Sequence, residues 1–155
     1  MNLPPILGFL GLLGLAAAAA VCAEPAFPGA TGFGAEARGG RGGKTILVTR
    51  LDDNVEDPQP GRFRWAVAQK GPRLVKFAIA GTILLEDRVA IKEPFLTIDG
   101  SDAPGMGVCL RGGSLEFSDT HDIVVRYLRV RLGDEHVLAL NRAKKRKRPD
   151  GSGGL

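Results

Sequence analysis

Residues 74–100 read LVKFAIAGTILLEDRVAIKEPFLTIDG, a succession of short apolar runs separated by turn-forming residues, and the pattern continues to Val130. Short runs rich in Val, Ile, Leu or Phe, with Gly, Pro or Asp between them, are typical of β-strands. The sequence predicts strands at Leu74–Ile79, Ile83–Leu85, Val89–Ile91, Phe95–Ile98, Val108–Leu110, Leu115–Phe117 and Ile123–Val130, after a first β-like run at Thr45–Thr49.

The connections between these runs are short, which limits the possible architectures. None is long enough for the helix of about ten to fifteen residues that joins strands in an alternating β/α sheet. An antiparallel sandwich or barrel and a parallel β-helix remain. The runs centred on Phe77, Ile98 and Val125 recur at intervals of 21 and 27 residues. Stacked coils of three short strands predict such a recurrence, but three irregular repeats leave the antiparallel alternative open.

One segment departs from the strand pattern. Within Arg62–Gln69, the apolar residues Phe63, Ala66 and Val67 stand at positions i, i+3 and i+4, and Gly71 follows as a stop signal. This spacing predicts a two-turn amphipathic helix. In a solenoid we expect such a helix to cover the open first coil, which would otherwise expose apolar side chains and strand edges.

The segment Ala26–Lys44, here called the lead-in, precedes the first strand and contains seven glycines in nineteen residues. Glycine-rich backbone forms neither stable helix nor regular strand, because each glycine has much conformational entropy to lose on folding. The composition therefore predicts a tightly turned segment that seals the start of the β-structure.

The first 23 residues are uncharged, and Ile6–Val21 is an uninterrupted apolar run of sixteen residues. This run is shorter than the roughly 20 residues of a membrane span, and small residues precede Glu24. The pattern predicts a signal peptide, residues 1–23, cleaved after Ala23, with an uncleaved membrane anchor as the alternative. A cleaved chain would be secreted and would have no stable association with membranes.

Cleavage would leave 132 residues, enough for one domain. We predict β-coils over residues 24–140 and a basic, glycine-rich loop over residues 141–155. Cys109 would then have no partner in the chain, so it is either buried as a small apolar residue or paired beyond Leu155. The apolar triplet Val108–Leu110 favours burial.

The net charge of +4 depends on one segment, Arg142–Arg148, which holds six basic residues. The rest of the chain has 15 basic and 17 acidic residues, which does not indicate a nucleic-acid surface. The basic segment is interpreted as a solvated loop, with the hypothesis that it holds an acidic polysaccharide electrostatically.

Two motifs that suggest chemistry fail on inspection. The run Gly39–Thr45 resembles a phosphate loop, but Arg38 stands where the first glycine belongs and a strand follows where a helix is needed. The cluster Asp134–His136 follows a strand and is interpreted as a solvated loop rather than as a metal or acid–base site. Asp150 is given no role.

Several segments carry a resemblance to a known family. They are Ala26–Ala30, Gly32–Ala35, Gly39–Gly43, Val48–Asp52, Ala66–Val67, Gly71–Arg73, Ala80–Ile83, Leu96–Gly100, Ala103–Gly105, Gly107–Gly112 and Ile123–Arg131. In this order and spacing they resemble the amino-terminal signature of the extracellular pectate lyases of polysaccharide lyase family 1. The resemblance extends over about residues 26–135.

The resemblance implies a right-handed parallel β-helix and cleavage of polygalacturonate, the acidic chain of pectin, by β-elimination. It also implies a Ca²⁺ ion that bridges protein carboxylates and the uronate of the substrate, with an arginine as the base. A divalent cation on the carboxylate acidifies the neighbouring C–H and stabilises the developing negative charge.

The chain departs from the family pattern at two places. Arg62 stands where the family often has Ser, so the predicted helix lacks an N-cap hydroxyl and should begin less firmly. In the family, the calcium-binding aspartates and the catalytic arginine lie on coils that follow Tyr127–Arg131. We therefore expect an amino-terminal fragment of a lyase, with no catalytic, cofactor-binding or metal-binding residue of its own.

Two functions remain as hypotheses. One is the beginning of a secreted Ca²⁺-dependent pectate lyase, monomeric at full length; the other is a non-enzymatic β-helix module that binds a cell-wall or surface polysaccharide. Arg126, Arg129 and Arg131 are candidates for carboxylate binding, with a structural or ion-pair role as the alternative. Strand parity places Arg126 on the opposite side from the other two. The isolated chain, with one open end, is expected to aggregate or to fold only in part.

Overall fold

The computed structural model of the protein describes residues 24–133. The predicted signal peptide (residues 1–23), the cluster Asp134–His136, the basic segment Arg142–Arg148 and Asp150 lie outside the described residues. The described range contains one helix and nine strands. They are β1 (Lys44–Val48), α1 (Phe63–Val67), β2 (Arg73–Phe77), β3 (Gly81–Leu84), β4 (Val89–Ile91), β5 (Leu96–Asp99), β6 (Val108–Arg111), β7 (Leu115–Phe117), β8 (Ile123–Arg126) and β9 (Leu128–Arg131).

The strands form three parallel sheets that wind as a solenoid. The first sheet has the order β1-β2-β5-β8, the second β3-β6-β9 and the third β4-β7, and every pairing between neighbours is parallel. Strands β2 to β4 make one coil, β5 to β7 the next, and β8 with β9 begin a third. The prediction of a parallel β-helix is confirmed, and the antiparallel sandwich or barrel is excluded.

The register of the coils differs from the predicted recurrence. In the first sheet Val75 pairs with Ile98 and Ile98 pairs with Val125, so the true intervals are 23 and 27 residues. Phe77 pairs instead with Val48 of β1. The predicted interval of 21 was wrong because it took the largest side chain as the centre of its strand, whereas Phe77 is the last residue of β2.

The predicted strand Ile123–Val130 is two strands in different sheets. Tyr127 separates them and adopts a left-handed conformation, with φ of 52°. This conformation turns the chain between β8, in the first sheet, and β9, in the second. Side chains on the two strands therefore face different outer surfaces of the solenoid.

Alternation along the strands builds the core. Inward-facing side chains stack coil upon coil, for example Val75 on Ile98 in the first sheet and Ile83 on Leu110 in the second, and all four are fully buried. Each inward position repeats every second residue, because successive side chains of a strand point to opposite faces. The outward positions remain available to solvent or to other segments of the chain.

Helix α1 covers the first coil, as predicted, but has five residues rather than two turns. Its apolar face is buried, and the ring of Phe63 stacks on that of Phe77 with centroids 6.0 Å apart. Arg62 occupies the N-cap position without a side-chain capping bond. At the other end, the buried guanidinium of Arg73 donates hydrogen bonds to the Val67 carbonyl, and burial lowers its pKa.

A buried ion pair fastens the helix to the turn before β4. Arg64 donates to both carboxylate oxygens of Asp53, whose side chain is 1% exposed. The same guanidinium donates to the carbonyls of Asp87 and Arg88, and the Asp53 carboxylate also accepts the backbone N–H of Glu86. The pair therefore joins three separate segments of chain in one hydrogen-bonded cluster.

The lead-in is tightly turned, as predicted, but it does not seal the end of the solenoid. It runs across the outer side of the first sheet, where Gly40 lies against the Arg73 carbonyl and Gly39 against Thr97. The Gly40 N–H donates to the Thr97 hydroxyl (2.9 Å), and the Arg38 N–H donates to the Asp122 carboxylate (2.7 Å). The lead-in thus contacts residues of all three coils. At Gly40 the backbone can approach that of Arg73 because no Cβ atom lies between them.

Candidate functional site

The outer face of the second sheet carries a groove of about 860 Å³. We call it the arginine groove, and it is lined by Ala80, Gly81, Thr82, Met106, Gly107, Cys109, Arg111, Arg129, Arg131 and Gly133. All of these residues belong to β3, β6 and β9 or to the turns next to them. The site is thus made by three successive coils rather than by one loop.

Strand register determines which side chains face the groove. Leu110 pairs with inward-facing Ile83, so the residues on either side of Leu110 point outward. Two outward rows result, one containing Cys109 and Arg129 and the other Arg111 and Arg131. Neighbouring strands of a sheet are about 4.8 Å apart, which brings the members of each row close together.

The groove is basic. Three of its lining residues are arginines, and none of the lining residues that the structure describes is acidic. Arg129 donates a hydrogen bond of 2.5 Å to the Met106 carbonyl, which fixes its guanidinium beside the turn before β6. Planar guanidinium groups bind carboxylates in a two-pronged geometry, so the chemistry of the groove suits carboxylate anions.

Two of the three arginines singled out in the sequence meet here, and one does not. Arg129 and Arg131 share the outer face of β9, as the parity argument predicted. Arg126 lies on the first sheet, where its guanidinium stacks over the rings of Phe27 and Tyr127 at 4.6 and 5.0 Å from the centroids. This contact ties the lead-in to β8, so Arg126 has a structural position.

Arg111 was missed in the sequence, although a signal for it was present. Val108–Arg111 and Leu128–Arg131 share the pattern of two apolar residues at alternate positions followed by arginine at the fourth. If the two segments are aligned as successive coils, both arginines fall in one outward row. The prediction of one unbroken strand over Ile123–Val130 concealed this alignment, because β9 begins only at Leu128.

Cys109 was predicted to be buried, and this was wrong. It is a half-buried free thiol on the outer face of β6, facing the arginine groove. The apolar triplet misled the prediction because only its first and third members, Val108 and Leu110, point inward.

His121 lies in the connection between β7 and β8, next to Asp122. The ring nitrogen Nδ1 lies 2.8 Å from the Asp122 carboxylate, and the ring packs edge-on against Phe95. The hydrogen bond from His121, with that from the Arg38 backbone N–H, lowers the pKa of Asp122. These contacts hold the turn before β8 under the lead-in.

Calcium binds six to eight oxygen ligands, mostly carboxylates and carbonyls. Residues 24–133 contain no group of three or more His, Cys, Asp or Glu side chains placed to hold a metal ion. The described residues therefore do not fit a calcium site of the kind implied by the resemblance.

Within residues 24–133, no helix has the length and apolar character needed to span a membrane.

Comparison with known proteins finds relatives that are named as probable pectate lyases. Probable pectate lyase C of Emericella nidulans is 45% identical over 101 residues, which are 65% of this chain and 23% of that protein. The protein of the same name from Aspergillus flavus is 42% identical over 101 residues, with the same coverage. Probable pectate lyase 16 of Arabidopsis thaliana is 39% identical over 71 residues, 46% of this chain and 18% of that protein. No family model matches the chain.

Among solved structures, the chain resembles jun a 1, the major allergen from cedar pollen. The TM-score is 0.50 and the identity 28%, over 64% of this chain and 28% of that chain. By its fold the protein is a parallel β-helix of about three coils. Within that class it is similar to pectate lyases, as the sequence predicted. It spans less than a quarter of the length of these relatives.

Proposed function

We propose that the chain forms the amino-terminal coils of a secreted, Ca²⁺-dependent pectate lyase that cleaves polygalacturonate by β-elimination. The observation that carries this proposal is the 45% identity to a probable pectate lyase over 101 residues. This share of the chain is large enough to include most of the described β-helix. The proposed substrate class is an acidic polysaccharide, and the whole enzyme is proposed to be a monomer.

In this proposal residues 24–133 form the first coils of the solenoid, and contacts with α1 and the lead-in stabilise them. Helix α1 covers the first coil, and the lead-in binds the coils along their outer side. As the resemblance to pectate lyases implies, the calcium-dependent chemistry is proposed to lie on coils that follow residues 24–133. The chain alone is accordingly proposed to be inactive.

The activity is tested by the absorbance of unsaturated uronate products released from polygalacturonate, with Ca²⁺ and with a chelator. The chain of residues 1–155 is compared with any longer polypeptide that the gene encodes. We expect no product from the shorter chain and Ca²⁺-dependent product from the longer one. Equal activity of both, or activity of the longer one in the chelator, would contradict the assignment.

Secretion is tested separately, because it depends on residues 1–23. Expression in a secreting host should give an extracellular protein whose amino-terminal residue is Glu24. A protein that remains in the membrane fraction with residues 1–23 attached would support the anchor alternative. Analytical ultracentrifugation of the longer polypeptide tests whether the whole enzyme is a monomer.

The second candidate function is a non-enzymatic module that binds a cell-wall or surface polysaccharide. The arginine groove favours it, since a surface that carries three arginines suits the binding of an acidic polymer. If the longer polypeptide bound polygalacturonate but released no unsaturated product under any calcium concentration, this second function would replace the first.

A further inference from the structure

We propose that the arginine groove is itself a calcium-independent binding site for the carboxylates of an acidic polysaccharide, with Arg129 and Arg131 as its principal contacts. The inference rests on the proposed function for the class of polymer. It adds the location of the binding site on this chain, the residues that contact the carboxylates, and the claim that binding needs no metal ion. Nothing in the similarity to pectate lyases supplies these three points.

Charge is the first support. The guanidinium groups of the groove lie on a wall otherwise formed by apolar, thiol and hydroxyl side chains and by glycine backbone. A cluster of like charges without described acidic side chains in its lining raises the local concentration of polyanions.

Geometry is the second support. Arg129 and Arg131 are two residues apart on β9, so their Cα atoms are separated by roughly 6.6 Å along the strand. A chain molecule with one carboxylate per sugar can therefore meet more than one guanidinium, and simultaneous contacts raise its affinity above that of a single uronate.

The shape of the groove also suits a polymer. The lining extends over parts of three coils and is open to solvent, and its small residues Ala80, Gly81 and Gly107 leave room beside the arginines. Arg129 is already held by the Met106 carbonyl, so less side-chain entropy is lost when it binds an anion.

Independence from calcium follows from the same residues. A divalent cation is repelled by the guanidinium groups, and the groove's described lining includes no carboxylate to hold one. The groove therefore selects free carboxylates directly. Methyl esterification removes the negative charge of each uronate, so esterified pectin should bind much more weakly.

The experiment measures binding of an oligogalacturonate to the full chain by titration calorimetry, in low salt with a chelator present. We expect saturable binding that weakens as ionic strength rises, since exposed charges are screened. The double variant Arg129→Gln/Arg131→Gln should bind about tenfold more weakly, a typical loss for two exposed charge-assisted contacts. Arg129→Lys/Arg131→Lys keeps the charge and should retain part of the affinity.

The matched control is Lys70→Gln/Lys92→Gln, which removes the same charge from two exposed lysines outside the groove. It should leave the affinity within about twofold, because screened charges far from the ligand contribute little. Circular dichroism of each variant establishes that the fold is intact. If the glutamine variant fails to fold, the lysine variant and the salt dependence of the unmodified chain carry the test.

Absence of binding by the folded chain would overturn the proposal, as would equal losses in the groove and control variants. Binding that requires Ca²⁺ would overturn it too. Failure of the proposed enzyme function is distinguishable, because it is measured as release of unsaturated uronate. A chain that binds in the chelator while the longer polypeptide cleaves nothing would support the groove and contradict the lyase.

Discussion

The backbone of Gly40 lies against the carbonyl group of Arg73 so closely that a Cβ atom on Gly40 would be 1.9 Å from the oxygen. This contact brings the lead-in onto the first residue of β2. The buried guanidinium of Arg73 also donates hydrogen bonds to the carbonyl oxygen of Val67, at the end of α1. Lead-in, first coil and helix therefore meet at one residue, and the start of the solenoid depends on that junction.

The substitution Gly40→Ala tests this contact. The new methyl group must displace backbone rather than a flexible side chain, so we expect a loss of about 3 kcal/mol in the free energy of unfolding. Gly34→Ala is the control, because a Cβ there meets nothing within 4 Å. Its stability in urea should stay within about 0.5 kcal/mol of the parent. Equal effects at both positions would show that the lead-in does not lie on β2.

The ion pair of Asp53 and Arg64 is the buried polar link between helix and coil. Asp53→Ala leaves the guanidinium without its carboxylate and should cost about 3 to 5 kcal/mol, as for other buried pairs that lose one partner. The exposed pair of Lys76 and Asp102 provides the comparison. Asp102→Ala should cost less than about 1 kcal/mol. Urea denaturation gives the free energy of unfolding of both variants. A similar small loss of stability in each would contradict the structural role of Asp53.

Phe63 provides the apolar contact of the cap. It is 1% exposed and stacks on Phe77, so Phe63→Ala should destabilise the fold by about 3 to 5 kcal/mol. Phe33→Ala removes a ring of the same size that is fully exposed and should have little effect. Thermal melts followed by circular dichroism distinguish the two. A neutral Phe63 variant would mean that α1 does not cover the first coil.

The turn at Asp122 should make stability depend on pH in the acid range. Hydrogen bonds from His121 and from the Arg38 N–H hold the pKa of Asp122 below its ordinary value of 3.8. A group whose pKa is lowered by folding stabilises the native state above its unfolded pKa, and this stabilisation is lost as pH falls through the folded pKa.

The corresponding variant is Asp122→Asn. At about pH 6 it should be less stable than the parent, and the difference should shrink as pH falls below about 4. Urea midpoints measured across this range provide the test. A difference that stayed constant down to the acid limit of folding would contradict the assignment.

The exposed apolar end of the described solenoid should cause self-association. A groove of about 310 Å³ is lined there by Ser114, Leu115, Phe117, Val125, Val130 and Leu132. Such surfaces and their strand edges promote aggregation. Val130→Lys should increase the monomer fraction in size-exclusion chromatography, whereas Leu47→Lys, at an equally exposed apolar residue on β1, should not. A monomeric parent chain with a cooperative thermal transition would contradict this prediction.

The sequence predicted most strands well because their inward residues are apolar and most turns are marked by glycine, proline or aspartate; the turn at Tyr127 has none of these residues. It did not predict the register, since register depends on which residues stack across coils more than twenty positions apart. Phe77 shows the difficulty: its size suggests a strand centre, but its position is set by Val48 beneath it.

The site was only partly predictable for a related reason. Parity within one strand placed Arg129 and Arg131 together, which is a local property. Bringing Arg111 beside Arg131 required the break at Tyr127, whose left-handed backbone is not evident from the residue type. The lateral course of the lead-in was likewise hidden, because glycine content indicates close approach without naming the partner.

The parallel stacking of coils supports every inference about the groove and the relatives, and methyl-labelled NMR tests it most directly. We expect nuclear Overhauser contacts between the methyl groups of Val75 and Ile98 and between those of Ile83 and Leu110, the inward pairs of adjacent coils. Strong contacts between Hα protons of facing residues in these strands, the signature of antiparallel pairing, would contradict the account.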